Sequence, residues 1–152
     1  MSQPPLTGVR VLELASEAGA YAGKLFGDAG ADVILVEPSG GHATRRYAPF
    51  VDDEAHPDRS LHFWNNNTSK RSVVLDLESE AGRSTFRRLA ARADIVLEGE
   101  APGRMAALQL DYPDLRRDNA RLIMVSVTPY GRSGPRSGEQ ATDLTLMAGG
   151  GI

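Results

Sequence analysis

Residues 16–37, SEAGAYAGKLFGDAGADVILVE, combine four glycines with a final glutamate, as dinucleotide-binding sites do. Such a site needs G-x-G-x-x-G in the first turn, so that the backbone approaches the pyrophosphate at a helix N-terminus. Here the glycines fall at 19, 23, 27 and 30. A spacing of four puts the first three along one helical face, where they permit close packing against a strand at about 1 kcal/mol each in helix propensity. We therefore expect a packing face with no NAD or flavin on it, and Glu37 alone does not change that expectation.

The other residues with catalytic side chains have spacings that argue against a site. Glu98 and Glu100 are i, i+2 neighbours and need not converge on one substrate atom. The three histidines share neither a helical face nor a ligand spacing, and the acidic run at 52–54 lacks the EF-hand pattern, so we predict no metal site. Ser126 lies in VSV without elbow glycines, which argues against a hydrolase.

Composition restricts the class of protein further. The 152 residues are 41% hydrophobic and 24% charged, as expected of one soluble domain. The net charge of −3 predicts neither a nucleic-acid partner nor an anionic membrane. No apolar run approaches the ~20 residues of a membrane span, and no signal peptide is visible. The absence of cysteine excludes disulfides and thiolate chemistry and fits a cytoplasmic location. The basic pairs at 45–46, 70–71, 87–88 and 116–117 are expected to be solvated.

Five apolar runs alternate with segments of helical spacing, and these elements must position any site. We predict strands at 9–14, 32–37, 72–77, 94–98 and 122–127. We predict helices at 21–29 and 79–92, after Pro102, at about 112–119 and from Asp143, with a loop over 38–59. This alternation predicts an α/β fold, a Rossmann-like and mostly parallel sheet with helices on both faces. Because the last helical segment begins just before the final MAGGGI, we expect the C-terminal side of the domain to be incomplete.

Four blocks of sequence, GADVILVE, KRSVVLDL, ARADIVLE and the G-x-S-G-P of 131–135, occur in a characteristic order. This order resembles the amino-terminal part of family III CoA-transferases, the CaiB/BaiF-type group that includes formyl-CoA transferase, carnitine CoA-transferase and α-methylacyl-CoA racemase. The resemblance runs from Pro5 to the last residue. It implies that residues 1–152 form one CoA-binding part, and that the remainder of the family's architecture lies elsewhere.

The resemblance also implies a chemistry. Enzymes of this family move coenzyme A between carboxylic acids through an aspartate that forms a mixed anhydride and then an aspartyl-CoA thioester. Such intermediates require a positioned carboxylate and a site that excludes water. The implied ligands are acyl-CoA and a carboxylic acid as substrates, with no permanently bound cofactor. The implied assembly is a homo-oligomer, or a complex with a partner subunit that supplies the missing part.

Specific residues follow from the resemblance. Those expected near CoA are Ser16, Glu17, Ala18, Leu75, Glu98, Gly99, Glu100 and Leu108. Asp143 matches an assisting acid and not the nucleophile, which is expected beyond Ile152, so the isolated chain is expected to lack transferase activity. Thr142 stands where the racemase branch has a histidine, which argues against racemisation.

At four positions the chain departs from the family's pattern. Pro38, Glu78 and Ala107 stand where basic residues are common, and Glu100 adds a carboxylate to a loop that often reads E-N-F. Losing cations should weaken the binding of CoA phosphates, by up to ~1 kcal/mol for each exposed pair. Two alternatives therefore stay open: a non-catalytic or degenerate subunit that binds a partner half, and a generic nucleotide-binding Rossmann domain.

Overall fold

The strand order defines the architecture. In the computed structural model, which describes residues 3–151, five strands form one sheet in the order β3-β2-β1-β4-β5. The strands are β1 (Arg10–Leu14), β2 (Asp32–Glu37), β3 (Lys70–Val74), β4 (Ile95–Glu98) and β5 (Ile123–Ser126). All neighbouring strands pair in parallel, which confirms the predicted Rossmann-like α/β fold. The order changes direction between β1 and β4, and such a switch point opens a crevice at the carboxyl ends of the strands.

Short polar side chains begin most of the helices. The helices are α1 (Glu17–Asp28), α2 (Leu61–Asn67), α3 (Glu80–Ala90), α4 (Arg104–Ala107), α5 (Tyr112–Leu115) and α6 (Asp143–Gly150). Two 3₁₀ turns, Ala43–Arg46 and Val51–Asp53, precede α2. Ser16 caps α1 and Ser79 caps α3, each by accepting a hydrogen bond from the backbone N–H three residues later. The helix predicted at 79–92 is therefore confirmed, with Ser79 as its cap.

Alternate residues of the central strands pack against different helices. On one face, Leu12 and Val96 lie in a cluster with Phe86 and Ala90 of α3. On the other face, Val11, Val33 and Leu97 pack with Ala22 and Phe26 of α1. Because side chains alternate along a strand, two helical layers cover the sheet from opposite sides. The helices cover the two faces of the sheet, and the carboxyl ends of the central strands lie next to the loops that follow them.

Two local predictions were wrong. Strand β3 covers 70–74 and not 72–77, because its only neighbour, β2, ends at Glu37 opposite Val74. Residues 75–77 therefore leave the sheet and reach the cleft described below. Asn65–Asn67, which together with Ser69 are predicted from the sequence to form a capping and turn cluster, lie in α2 instead. The amides of Asn66 and Asn67 donate to carbonyl oxygens four residues back, which supports this short helix.

Apolar strands predict a sheet that is buried on both faces, but the two edge strands are partly exposed. Val74 of β3 and Ile123 of β5 are both more than half exposed. Within the part of the chain that the structure describes, no helix combines the length and apolar character that crossing a membrane requires.

Candidate functional site

A cleft of about 390 Å³ opens at the carboxyl edge of the sheet. Its walls come from the ends of β1 and β2, the segment after β3, and the loop and short helix after β4. Leucine and valine side chains supply the apolar surface, and carboxylates, one arginine and one histidine supply the polar groups. The lining residues are Leu14, Ala15, Val36, Glu37, Pro38, Ser39, His42, Leu75, Asp76, Leu77, Glu78, Glu100, Arg104 and Leu108.

Three residues predicted near CoA line this cleft together. Leu75 comes from the segment after β3, Glu100 from the loop after β4, and Leu108 from the C-terminal end of α4. They are far apart in sequence and meet because β3 and β4 end at the same edge of the sheet. Burial raises the pKa of Glu100, and the nearby charges of Glu98 and Glu78 act in the same direction while Arg104 opposes them.

The other predicted CoA neighbours lie beside the cleft. Ser16, Glu17 and Ala18 form the cap and first turn of α1, directly after the cleft residue Ala15. A Cβ atom added to Gly99 would lie 2.6 Å from Ser16 Oγ, so the loop after β4 packs directly on this cap. Glu17 already places a negative charge at the helix N-terminus, where a Rossmann site would hold a pyrophosphate.

Glu98 and Asp143 occupy different settings. Glu98 is buried at the end of β4, and its carboxylate accepts a hydrogen bond from the Glu100 N–H at 2.7 Å. It thus shapes the loop and does not line the cleft. Asp143 lies in the first turn of α6, a helix whose residues are all exposed, and it is not among the residues around the cleft. Its role as an assisting acid stays a prediction.

Glu37, which lines the cleft, is held by a network of hydrogen bonds. Arg45 donates to both of its carboxylate oxygens, Nε to Oε2 at 2.6 Å and Nη2 to Oε1 at 2.7 Å. The Ser72 hydroxyl and the His42 N–H donate as well. Although burial alone would raise it, these bonds hold the pKa of Glu37 at about 2. Glu37 cannot take up ribose hydroxyls without losing a partner, which supports the prediction of no NAD.

Two of the basic pairs expected to be solvated contain buried cations, so that prediction was wrong for them. The Arg45 guanidinium stacks 3.9 Å from the Phe63 ring centroid, and its side chain is only 18% exposed. The Lys70 side chain is 1% exposed, and its Nζ donates to Glu13 at 2.9 Å, Ala20 O at 2.9 Å and Asn67 Oδ1 at 3.0 Å. The sequence signal for the second network was a glutamate inside the apolar strand VRVLEL.

The glycine face of α1 makes room for that ion pair. A Cβ atom at Gly23 would lie 1.7 Å from Glu13 Oε2, whereas one at Gly27 would first meet Ser69 Cβ at 3.3 Å. Burial raises the pKa of Glu13 to about 7, against the opposing effect of Lys70. The packing role predicted for the four-residue glycine spacing is therefore confirmed.

His42 and Arg104 are cleft residues that sequence reasoning missed. His42, in the loop predicted over 38–59, is half-buried, and its Nδ1 accepts from the Thr44 N–H at 3.3 Å. Burial lowers the pKa of His42, which favours the neutral ring. Because Nδ1 accepts the Thr44 N–H, the proton of a neutral ring lies on Nε2. Arg104, in the short helix where Ala107 had suggested a lost cation, forms an ion pair with Glu78. In residues 3–151, no group of three or more metal-ligating side chains is arranged to hold a metal ion.

The parallel sheet, with a cleft at the carboxyl ends of its strands, defines a Rossmann-like α/β domain. Comparison with known proteins identifies its family, because the profile of CoA-transferase family III matches residues 6–152. The chain belongs to this family.

Similar proteins agree in sequence and in structure. Succinyl-CoA:(R)-benzylsuccinate CoA-transferase subunit BbsE of Thauera aromatica is 43% identical over 91% of this chain and 34% of its own length. Succinate–glutarate CoA-transferase of Agrobacterium fabrum is 43% identical over 88% of this chain and 34% of its own. The crystal structure of a CAIB/BAIF family protein from Brucella suis superposes with a TM-score of 0.90 at 37% identity, over 99% of this chain and 40% of that one. The chain thus spans well under half the length of these relatives.

Proposed function

We propose that this chain forms the CoA-binding part of an enzyme that transfers coenzyme A between carboxylic acids. One observation carries the proposal: Leu75, Glu100 and Leu108, each predicted near CoA, line a single cleft at the switch point of the sheet. The transferase names of the similar proteins support it. Within the alternative of a generic nucleotide-binding Rossmann domain, the engagement of Glu37 by Arg45 argues against a dinucleotide as the ligand.

The cleft offers what a nucleotide end of CoA requires. Leu75, Leu77 and Leu108 provide apolar surface for a flat base, and His42 and Arg104 provide N–H donors for polar groups. The CoA thioester itself needs a carboxylate nucleophile. We propose that polypeptide outside residues 3–151, in the same chain or in a partner subunit, supplies this nucleophile, with Asp143 as an assisting acid.

Exposed apolar residues support a proposed partner. Leu144 and Met147 of α6 are exposed, and so are Ile123 and Val125 on the edge strand β5. Large apolar side chains that are exposed in this way favour association with other polypeptide. We propose a homo-oligomer or a partner subunit, located in the cytoplasm in keeping with acyl-CoA substrates and a chain without cysteine.

Leu75→Asn is expected to weaken CoA binding about 10- to 100-fold, because burial of one leucine against a ligand is worth about 1.5–3 kcal/mol. Isothermal titration calorimetry with CoA measures this directly. The matched control is Leu25→Asn, on the outer side of α1, where the side chain is half exposed and lies outside the cleft. Equal affinities of the two variants, or an unmodified chain that binds NAD and not CoA, would contradict the proposal.

A further inference from the structure

The Glu78–Arg104 ion pair joins two opposite walls of the cleft. Strands β3 and β4 are separated by β2 and β1 in the sheet. Three strand spacings place their ends about 14 Å apart. Glu78 belongs to the segment after β3 and Arg104 begins α4 after β4, and both line the cleft. Their side chains nevertheless meet, so the pair bridges the width of the site.

The Arg104 guanidinium is only partly engaged by Glu78. Among residues 3–151 its one hydrogen bond runs from Nη2 to Glu78 Oε1. A guanidinium has five N–H donors, arranged to bind a second oxygen in the same plane. The Arg104 side chain is 39% exposed, so these remaining donors are accessible from the cleft. Arg104 therefore retains the capacity to bind an anionic ligand in a bidentate manner.

The carboxylates near Arg104 oppose the binding of an anionic ligand there. Glu78 forms the ion pair, and Glu100 lies close enough for Arg104 and Glu78 to shift its pKa in opposite directions. Two carboxylates thus surround one cation at this wall of the cleft. An incoming phosphate gains most if it replaces Glu78 on the guanidinium, since like charges around one cation repel.

Building on the proposed function, we propose that Arg104 binds a phosphate group of CoA and that Glu78 competes with this phosphate for the guanidinium. Glu78 is then a specificity-determining residue, because it sets how strongly the cleft favours phosphorylated ligands. A bidentate Arg–phosphate contact is stronger than the single bond to Glu78, so the exchange favours ligand binding. The ion pair holds Arg104 in place until the exchange occurs.

Calorimetric titration of the full chain with CoA and with pantetheine, which lacks phosphates, tests this inference. Arg104→Gln is expected to weaken CoA binding about tenfold, as loss of a charged hydrogen bond does. Glu78→Gln is expected to tighten CoA binding severalfold, and this gain should vanish in the Arg104→Gln background. Neither change should alter pantetheine affinity. Arg136→Gln and Glu139→Gln, which remove an exposed pair of 2.8 Å outside the cleft, should leave both ligands unaffected.

The outcomes separate this inference from the proposed function. CoA binding to the unmodified chain with no change in Arg104→Gln would overturn the inference alone, and so would unchanged CoA affinity in Glu78→Gln. Equal effects on CoA and pantetheine would show that Arg104 acts on packing and would also overturn it. If neither the unmodified chain nor Glu78→Gln binds CoA, both the inference and the proposed function fail.

Discussion

Gly23→Ala is expected to destabilise the domain by about 2–4 kcal/mol, because breaking a buried ion pair costs about 3–5 kcal/mol and the alanine returns about 1 kcal/mol of helix propensity. The added Cβ would lie 1.7 Å from Glu13 Oε2 and 2.8 Å from Lys70 Nζ. Neither partner can escape into water, since both side chains are fully enclosed. The clash must therefore be relieved in one of two ways: Glu13 and Lys70 move apart, or α1 moves away from β1.

Urea unfolding followed by circular dichroism measures this loss. Gly27→Ala is the matched control, one helical turn further along the same face of α1. Its Cβ would first meet the Ser69 side chain at 3.3 Å, a contact that a small shift relieves. We expect this control to change the free energy of unfolding by less than about 1 kcal/mol. Equal losses in the two variants would show that the Glu13–Lys70 pair does not set the approach of the helix.

Arg45→Met is expected to lower the free energy of unfolding at pH 7 by about 3 kcal/mol, since it leaves the buried Glu37 carboxylate without its cation. The effect should depend on pH. The pKa of Glu37 is about 2 in the folded chain against an ordinary 4.5. Its contribution is therefore present above pH 4.5 and is lost as the pH falls towards 2. The variant should lose less stability than the unmodified chain over this interval.

Unfolding titrations at pH 7 and pH 3 test both parts of this prediction. Arg59→Met is a suitable control, because Arg59 pairs with the exposed side chains of Glu54 and Asp52. Exposed pairs contribute about 0–1 kcal/mol, so this control should lie close to the unmodified chain at both pH values. If Arg45→Met is no less stable than Arg59→Met at pH 7, the buried Glu37 carboxylate is not stabilised by Arg45.

Local patterns predicted the elements that local forces determine. The apolar runs predicted the strands, and the helical spacing of 79–92 predicted α3, because both signals lie in neighbouring residues. The end of β3 was wrong because the length of its partner strand decides it. The burial of Arg45 and Lys70 was equally invisible, since a cation is buried only where a distant carboxylate meets it.

The site was predictable only in part, and for a related reason. Leu75, Glu100 and Leu108 were placed near one ligand by resemblance, and the sheet brings them to one cleft. Arg104 was missed because the family pattern directed attention to position 107, three residues further along the same short helix. Its ion pair with Glu78 joins segments that are adjacent only after β3 and β4 have taken their places in the sheet.

Nuclear magnetic resonance titration of the labelled chain with CoA tests the central claim most directly, because it reports which backbone amides the ligand affects. Most of the residues that line the cleft lie within 38–42, 75–78 and 100–108. We predict saturable shifts that are largest in these three segments, and weaker effects at the cap of α1. Shifts concentrated on α6 or on the edge strand β5, or no saturable shifts at all, would contradict a CoA site at the switch point of the sheet.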